Sequence, residues 1–270
     1  MIAAFRFRTF SLQQTNAAMK VGTDSVLLAA LAALPPVDAS GKAGHSKILD
    51  VGTGTGIIAL LLAQRFDTAH LIALEPDPSA CIDAAHNFAE SPYHDRIELH
   101  RVTLQTYVSE NGLLGGAYDL VISCPPYFNA GNPSPDGSRS IARTAAHTSA
   151  GFASATLSHP ALISGASVLL SRKGVFTVVL PYLEGLDFVR TAALSGLYCS
   201  RFVAFRTRPA KPVLRVFLSF SRSLVVSPLC LENLCLYAAD TGEAFSSEWQ
   251  SLLKEAYARE FWEKSEPAAP

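Results

Sequence analysis

From residue 47 onward, short continuous apolar runs alternate with longer amphipathic ones. Lys47–Val51 (KILDV) predicts a strand buried on both faces, and the GTGTG that follows predicts a tight turn. The run from Ile57 to Phe66 has helical length and an apolar face. Further strands are predicted at His70–Leu74, Arg96–Val102, Tyr118–Ser123 and Gly174–Leu180, with helices at Pro78–Ala89, Ser154–Leu170 and Leu183–Leu194. The prolines of Cys124-Pro125-Pro126 stop the Tyr118–Ser123 strand, and the Gly, Pro, Ser and Asn of residues Asn129–Ser140 predict a loop. Tyr198–Arg206 and Val213–Phe220 predict two strands joined around Arg208-Pro209-Ala210-Lys211-Pro212, and Ser246–Glu263 predicts one amphipathic helix.

Strands alternating with helices imply an α/β fold, a mostly parallel sheet with helices on both faces. The two late strands lack a helix between them and predict an antiparallel hairpin at one edge. Ligands of such sheets bind outside the carboxyl ends of the strands, where strand order reverses. The segment Asp50–Gly56 is expected there.

Composition narrows the class. Hydrophobic residues make up 49% and charged residues 17% of the 270, which excludes a disordered chain. No apolar run approaches the roughly 18–20 residues of a membrane span. Arginines at positions 6 and 8 interrupt the place where a signal peptide carries its apolar segment. The five cysteines (81, 124, 199, 230, 235) form no CxxC pair, so neither a disulfide frame nor a metal site is expected. A cytoplasmic protein follows as the expectation. The formal charge of −1 divides unevenly: +2 over residues 1–24, −7 over 25–136, +9 over 137–231 and −5 beyond. A +9 stretch is the footprint of a polyanion binder, unless its charges scatter over several solvated faces. Arg201, Arg206, Arg208, Lys211 and Arg215 are its densest group.

The glycine turn carries the chemistry. Backbone N–H groups at a strand-to-helix turn approach a ligand closely. The dinucleotide fingerprint is GxGxxG, whereas Asp50, Gly52, Gly54 and Gly56 read D-x-G-x-G-x-G. That spacing suits a ligand without phosphates, with Asp50 near a cationic or amine group. Glu75, ending the second strand, is placed to accept hydrogen bonds from two ribose hydroxyls.

This pattern resembles the S-adenosylmethionine-dependent methyltransferases. Ser123-Cys124-Pro125-Pro126-Tyr127 is similar to the D/N/S-P-P-Y/F/W motif of those that methylate amino groups. Hydrogen bonds from the target's N–H groups to a side chain and a backbone carbonyl draw its nitrogen toward tetrahedral geometry. Prolines stiffen the loop, and the aromatic ring stacks on a flipped base. The segment Phe5–Gln14 and the run Ala18–Asp24 (AMKVGTD), followed by Leu27-Leu28, narrow the resemblance to the bacterial tRNA1(Val) adenine-N6-methyltransferases, as do Ser134-Pro135-Asp136, Arg139 and Arg143. It runs from about residue 5 to residue 222.

It implies a Rossmann-like class I methyltransferase fold with a seven-stranded sheet. Residues 1–222 would form the methyltransferase domain (1–46 an N-terminal cap and helix, 47–222 the core) and residues 223–270 a C-terminal extension with a terminal helix. S-adenosylmethionine is the implied cofactor, with Lys20, Asp24, Asp50, Gly52, Gly54, Gly56, Glu75, Thr103 and Leu104 around it and no metal. Cys124, Pro125, Pro126 and Tyr127 would present the amine. A tRNA would be the partner, its phosphates met by Arg6, Arg8, Arg139, Arg143, Arg201, Arg206, Arg208 and Lys211.

Three departures from the family stand out: Cys124 in place of Asn, Thr15 in place of Asp, and a tail after Ser223 without counterpart. A thiol is a weak acceptor. Two alternatives therefore stay open: a catalytically weak protein that binds RNA and cofactor, and a protein-glutamine methyltransferase, which shares the PPY loop. A nicotinamide dehydrogenase has the wrong glycine spacing.

Overall fold

A computed structural model describes residues 5–17, 20–34, 46–112, 115–125, 157–222 and 230–263. The expected loop at 129–140 lies outside them, as do Pro126, Tyr127, Arg139 and Arg143.

Eight strands form the central sheet among the described residues: β3 (Lys47–Val51), β4 (His70–Leu74), β5 (Ile97–His100), β6 (Tyr118–Ser123), β7 (Leu170–Pro181), β8 (Tyr198–Arg206), β9 (Arg215–Ser221) and β10 (Cys230–Cys235), in the order β10-β8-β9-β7-β6-β3-β4-β5. All neighbours run parallel except β9, which is antiparallel to both β7 and β8. A small ribbon of β1 (Phe5–Arg6) and β2 (Ser11–Leu12) precedes the sheet.

The pleat explains the apolar runs. Successive side chains point to opposite faces. In β6, Leu120 and Ile122 enter one core while Val121 enters the other. Helices α1 (Thr23–Leu31), α2 (Ile57–Arg65) and α3 (Pro78–Ala89), with α7 (Ser247–Leu253), supply the first core. Helices α4 (Leu104–Asn111), α5 (His159–Leu169) and α6 (Tyr182–Leu194) supply the second. A strand covered on both faces has no polar positions to alternate, so it reads as a continuous apolar stretch.

Two features differ from the sequence-based expectation. The sheet has eight strands instead of seven, because Cys230–Cys235 pairs in parallel with β8 and takes the edge. The β8–β9 hairpin consequently lies one strand inside. The expected helix at 246–263 is broken into α7 and α8 (Arg259–Glu263). Between them, Tyr257 forms a bridge with Phe7, and the Arg8 N–H donates to the Ala256 carbonyl at 3.0 Å. The Ala256 carbonyl is thereby taken by the N-terminal segment, while the Tyr257 N–H still donates to the Leu253 carbonyl at 3.3 Å as the last helical bond.

The N-terminal segment runs along α3 as a strap, held by two polar side chains one helical turn apart. Asp83 accepts from the Asn16 and Ala17 N–H groups and from Asn16 Nδ2, each at 2.8 Å. Asn87 exchanges hydrogen bonds with the Gln13 backbone and donates to the Thr55 carbonyl at 2.9 Å. Burial alone would raise the Asp83 pKa, but these hydrogen bonds together outweigh it and hold the carboxyl below its usual value. Asp83→Ala strands several donors and is expected to cost about 3 kcal/mol, read as a lower Tm and faster proteolysis within residues 13–17. A depressed carboxyl stabilises the fold at pH values above the unfolded carboxylate's range and loses that contribution as pH falls through the folded value. The difference between wild type and Asp83→Ala is therefore expected to shrink on acidification.

Candidate active site

Strand order reverses beside β3, whose neighbours β4 and β6 lead to opposite halves of the sheet. The crevice at the carboxyl ends of β3 and β6 is thus the expected ligand position. Two sets of bonds fix its shape. The Gly52 and Thr53 N–H groups both donate to the Leu74 carbonyl at 2.9 Å, tying the turn to the end of β4. On the other side, Ser123 Oγ donates to the Val51 carbonyl at 2.9 Å.

Gly54 sits at φ +59, in the left-handed region that side chains disfavour, and its N–H donates to Glu75 Oε2 at 2.8 Å. No atom lies within 4 Å of where a Cβ would stand on Gly54, so open space borders the turn. Gly56 is needed for packing as well: a Cβ there would meet Phe88 Cε1 of α3 at 2.4 Å.

Asp50 is fully buried at the end of β3. Its Oδ2 accepts from Thr53 Oγ1 at 2.6 Å, while Oδ1 accepts no hydrogen bond. Burial pushes its pKa up to about 7; the Thr53 hydroxyl and Ala59 N–H pull it back, and the Glu75 charge adds to the rise. Glu75 is also raised, first by burial, against the opposing bonds from the Asp77 and Gly54 N–H groups. Both its oxygens already hold backbone donors, Oε1 taking the Asp77 N–H at 2.9 Å. Each carboxylate oxygen keeps a further lone pair for a hydroxyl.

The other residues expected at the cofactor divide. Lys20 donates to the Gln14 carbonyl. Asp24 pairs with Arg215, Oδ2 to Nε at 3.0 Å, so its carboxylate is partly committed within the protein. Thr103 follows β5 and caps α4 through the Thr106 N–H at 3.1 Å. Leu104 is buried against Gly165 in the second core. Cys124 and Pro125 extend from β6 alongside the glycine turn, and Ser25 Oγ of α1 lies 3.7 Å from Cys124 Sγ.

Several of the basic residues are committed to partners within the protein. Arg201 grips Glu232 with two bonds, at 2.6 and 2.9 Å, and donates to the Leu31 carbonyl. Arg208 donates to the carbonyls of Ala239 and Gly242 and lies 4.4 Å over the Tyr237 ring. Arg206 reaches Asn233 and the Pro209 carbonyl, whereas Lys211 is exposed in the β8–β9 connection. Arg8 pairs with Glu255. The neighbouring Thr9 bonds Gln64 near the end of α2, about 12 Å along that helix from the glycine turn. Sequence reading missed Asp83, Asn87 and Ser25. The first two carry a signal, being spaced by four on one helix face beside the glycine turn.

A mostly parallel sheet with an acid-lined glycine turn at its point of reversal is the architecture of a Rossmann-like methyltransferase. The family described as a methyltransferase domain matches residues 48–150, from β3 through the turn and β6. A solved structure, a predicted O-methyltransferase from Agrobacterium tumefaciens, superimposes with a TM-score of 0.60 at 18% identity, covering 87% of this chain and 98% of that one. Two proteins named tRNA1(Val) (adenine(37)-N6)-methyltransferase are closer in sequence. One from Bacteroides fragilis is 38% identical over 94% of this chain and 97% of its own length. One from Tolumonas auensis is 37% identical over 95% and 97%. The chain belongs to the tRNA1(Val) (adenine(37)-N6)-methyltransferase family.

The buried Asp50 carboxyl has a measurable consequence. A folded pKa raised above the unfolded one means the native state holds a proton that the unfolded state releases. Stability is then lost as pH rises from the ordinary carboxylate range toward about 7. Unfolding titrations at pH 4 to 8 are expected to show Asp50→Asn gaining on wild type with rising pH, by up to about 1.4 kcal/mol per pH unit.

Proposed function

We propose that this protein transfers a methyl group from S-adenosylmethionine to the N6 amine of an adenine in tRNA, the adenine at position 37 of tRNA1(Val) in its relatives' names. The observation that carries the reading is the buried carboxylate pair around the glycine turn, joined to a proline-stiffened bend on the next strand. The residues fit the cofactor. Asp50 Oδ1 is an orphaned buried acceptor that suits a cation. Glu75 retains lone pairs for hydroxyls, and open space lies over Gly52 and Gly54.

S-adenosylmethionine supplies an electrophilic methyl on a positively charged sulfur. Asp50, Gly54 and Glu75 orient it. The Pro125 carbonyl accepts one N–H of the target amine and aims its lone pair, while Tyr127 stacks on the base. When bound, the cofactor would give its methyl to that nitrogen and leave as the neutral thioether, and the proton would pass from the methylated nitrogen to water. Because that nitrogen becomes acidic only after transfer, no general base is needed beforehand.

Residues 1–222 would make up the catalytic unit, with the described part of 230–263 bracing it. Phosphate contacts are assigned to Lys211, Arg139 and Arg143, with Arg6, Arg8, Arg201, Arg206 and Arg208 as lesser contributors because of their placement or their protein partners. No helix among the described residues is long and apolar enough to cross a membrane. No group of three His, Cys, Asp or Glu among them could hold a metal. A cytoplasmic location suits a tRNA substrate.

The test is mass spectrometry of tRNA from cells lacking the protein, where an N6-methyladenosine is expected to vanish and to return when the purified enzyme and S-adenosylmethionine are added. Unchanged tRNA in both arms would falsify the reading. Cofactor binding gives a second check. A cation beside Asp50 favours its ionised form, so binding is expected to release a proton below pH 7 and to weaken up to about tenfold per pH unit of acidification. Calorimetry in buffers of different ionisation enthalpy measures the release, which Asp50→Asn is expected to abolish.

A further inference from the structure

An exocyclic adenine amine has two N–H groups, and aiming its lone pair takes an acceptor for each. The bend after β6 offers the Pro125 carbonyl for one. The side chain before it, Cys124, offers only sulfur, a weak acceptor. Yet the structure brings an oxygen to that place. Ser25 Oγ lies 3.7 Å from Cys124 Sγ, across 99 residues of sequence. Both side chains are half-buried.

Ser25 stands in the first turn of α1, and the helix is pinned at both ends. Next to it, Asp24 is bonded to Arg215 at the start of β9, which is paired with Pro181 at the end of β7. At the other end, Arg65 donates to the Ala29 and Ala32 carbonyls and Arg201 to that of Leu31. The hydroxyl is therefore carried on a fixed element. With its proton donated to sulfur, the hydroxyl keeps its lone pairs for an incoming N–H.

We propose that Ser25 is the side-chain acceptor for the target amine, working through a Ser25–Cys124 pair in which the thiol orients the hydroxyl and the hydroxyl receives the N–H. Ser25 thereby becomes a catalytic residue of the methyl transfer, and Cys124 a positioning residue. This rests on the adenine-N6 reading above.

The experiment is a double-mutant cycle on tRNA methylation by the full-length enzyme, with calorimetric binding of S-adenosylhomocysteine as the control. Ser25→Ala is expected to lower kcat by about 10- to 100-fold and to leave that binding within about twofold. Ser25→Val and Ser25→Thr share a branched shape and differ in the hydroxyl. Thr is expected to exceed Val at least about tenfold, which covers the case of a poorly folding Ala variant. Cys124→Asn supplies an amide oxygen of its own. It is expected to raise kcat no more than about threefold in wild type and at least about tenfold in Ser25→Ala. If Ser25→Ala stays within twofold of wild type, if Thr and Val behave alike, or if Cys124→Asn acts by the same factor in both backgrounds, the assignment fails while the adenine reading stands. A wild-type enzyme that leaves every tRNA adenine unmethylated overturns both.

Discussion

At the end of β3 the fold buries a carboxylate and leaves one of its oxygens without a donor. Taking a charge out of water costs several kcal/mol unless it is paired. The apo protein escapes much of that cost by holding the proton, which is why the Asp50 pKa rises to about 7. Only a cationic ligand turns the same group from a burden into a partner. The rest of the crevice is arranged around this position. The turn bends back so that its N–H groups bond Leu74 and Glu75, and β6 is stitched to β3 through Ser123.

The strap along α3 brings the N-terminal segment into that arrangement. Asn87 joins the backbone of Gln13 to that of Thr55 in the glycine turn, while Asp83 fixes residues 16 and 17. The chain leaves this clamp heading for Lys20 and α1. Ordering a long N-terminal segment costs roughly 1–2 kcal/mol per residue in backbone entropy. The aromatic cluster of Phe7, Phe10 and Tyr257 in the first core offsets part of that cost. Breaking the C-terminal helix at Tyr257 is the local consequence, since one backbone cannot complete a helix and bridge to Phe7 at once.

How much could be read from the sequence depended on whether one segment held all the information. The strand Tyr118–Ser123 was legible to its ends, because double-sided burial leaves the apolar run Leu120–Ile122 just ahead of the prolines. The glycine turn and its two acids were legible for a similar reason: their chemistry is local. Strand β10 was not, since CLENLC is short and mixes polar with apolar residues at an edge. Two arginines of the basic stretch have acid partners that the local sequence does not reveal, because those partners come from elsewhere in the chain. Glu232 reaches Arg201 from β10, its neighbour in the sheet, and Asp24 reaches Arg215 across 191 residues. Ser25 was invisible on the same ground, as its neighbour Cys124 lies 99 residues away.

Those ion pairs have a physical role even though exposed ones contribute little to stability, about 0–1 kcal/mol. Helix α1 begins beside the crevice and ends where Arg201 of β8 reaches the Leu31 carbonyl. Cations at a helix carboxyl end satisfy carbonyls that lack intrahelical partners and oppose the helix dipole. Arg65 and Arg201 do both, and the Arg65 guanidinium, half desolvated and near Arg201, is shifted downward by that burial first and by the like charge second. At the amino end, Asp24 has the favourable sign for the dipole and is anchored to β9. A helix held in this way cannot slide along its axis without breaking charged bonds at both ends. Arginines that read as a nucleic-acid footprint in the sequence thus serve geometry in the fold, fixing where the first turn of α1 meets the bend after β6.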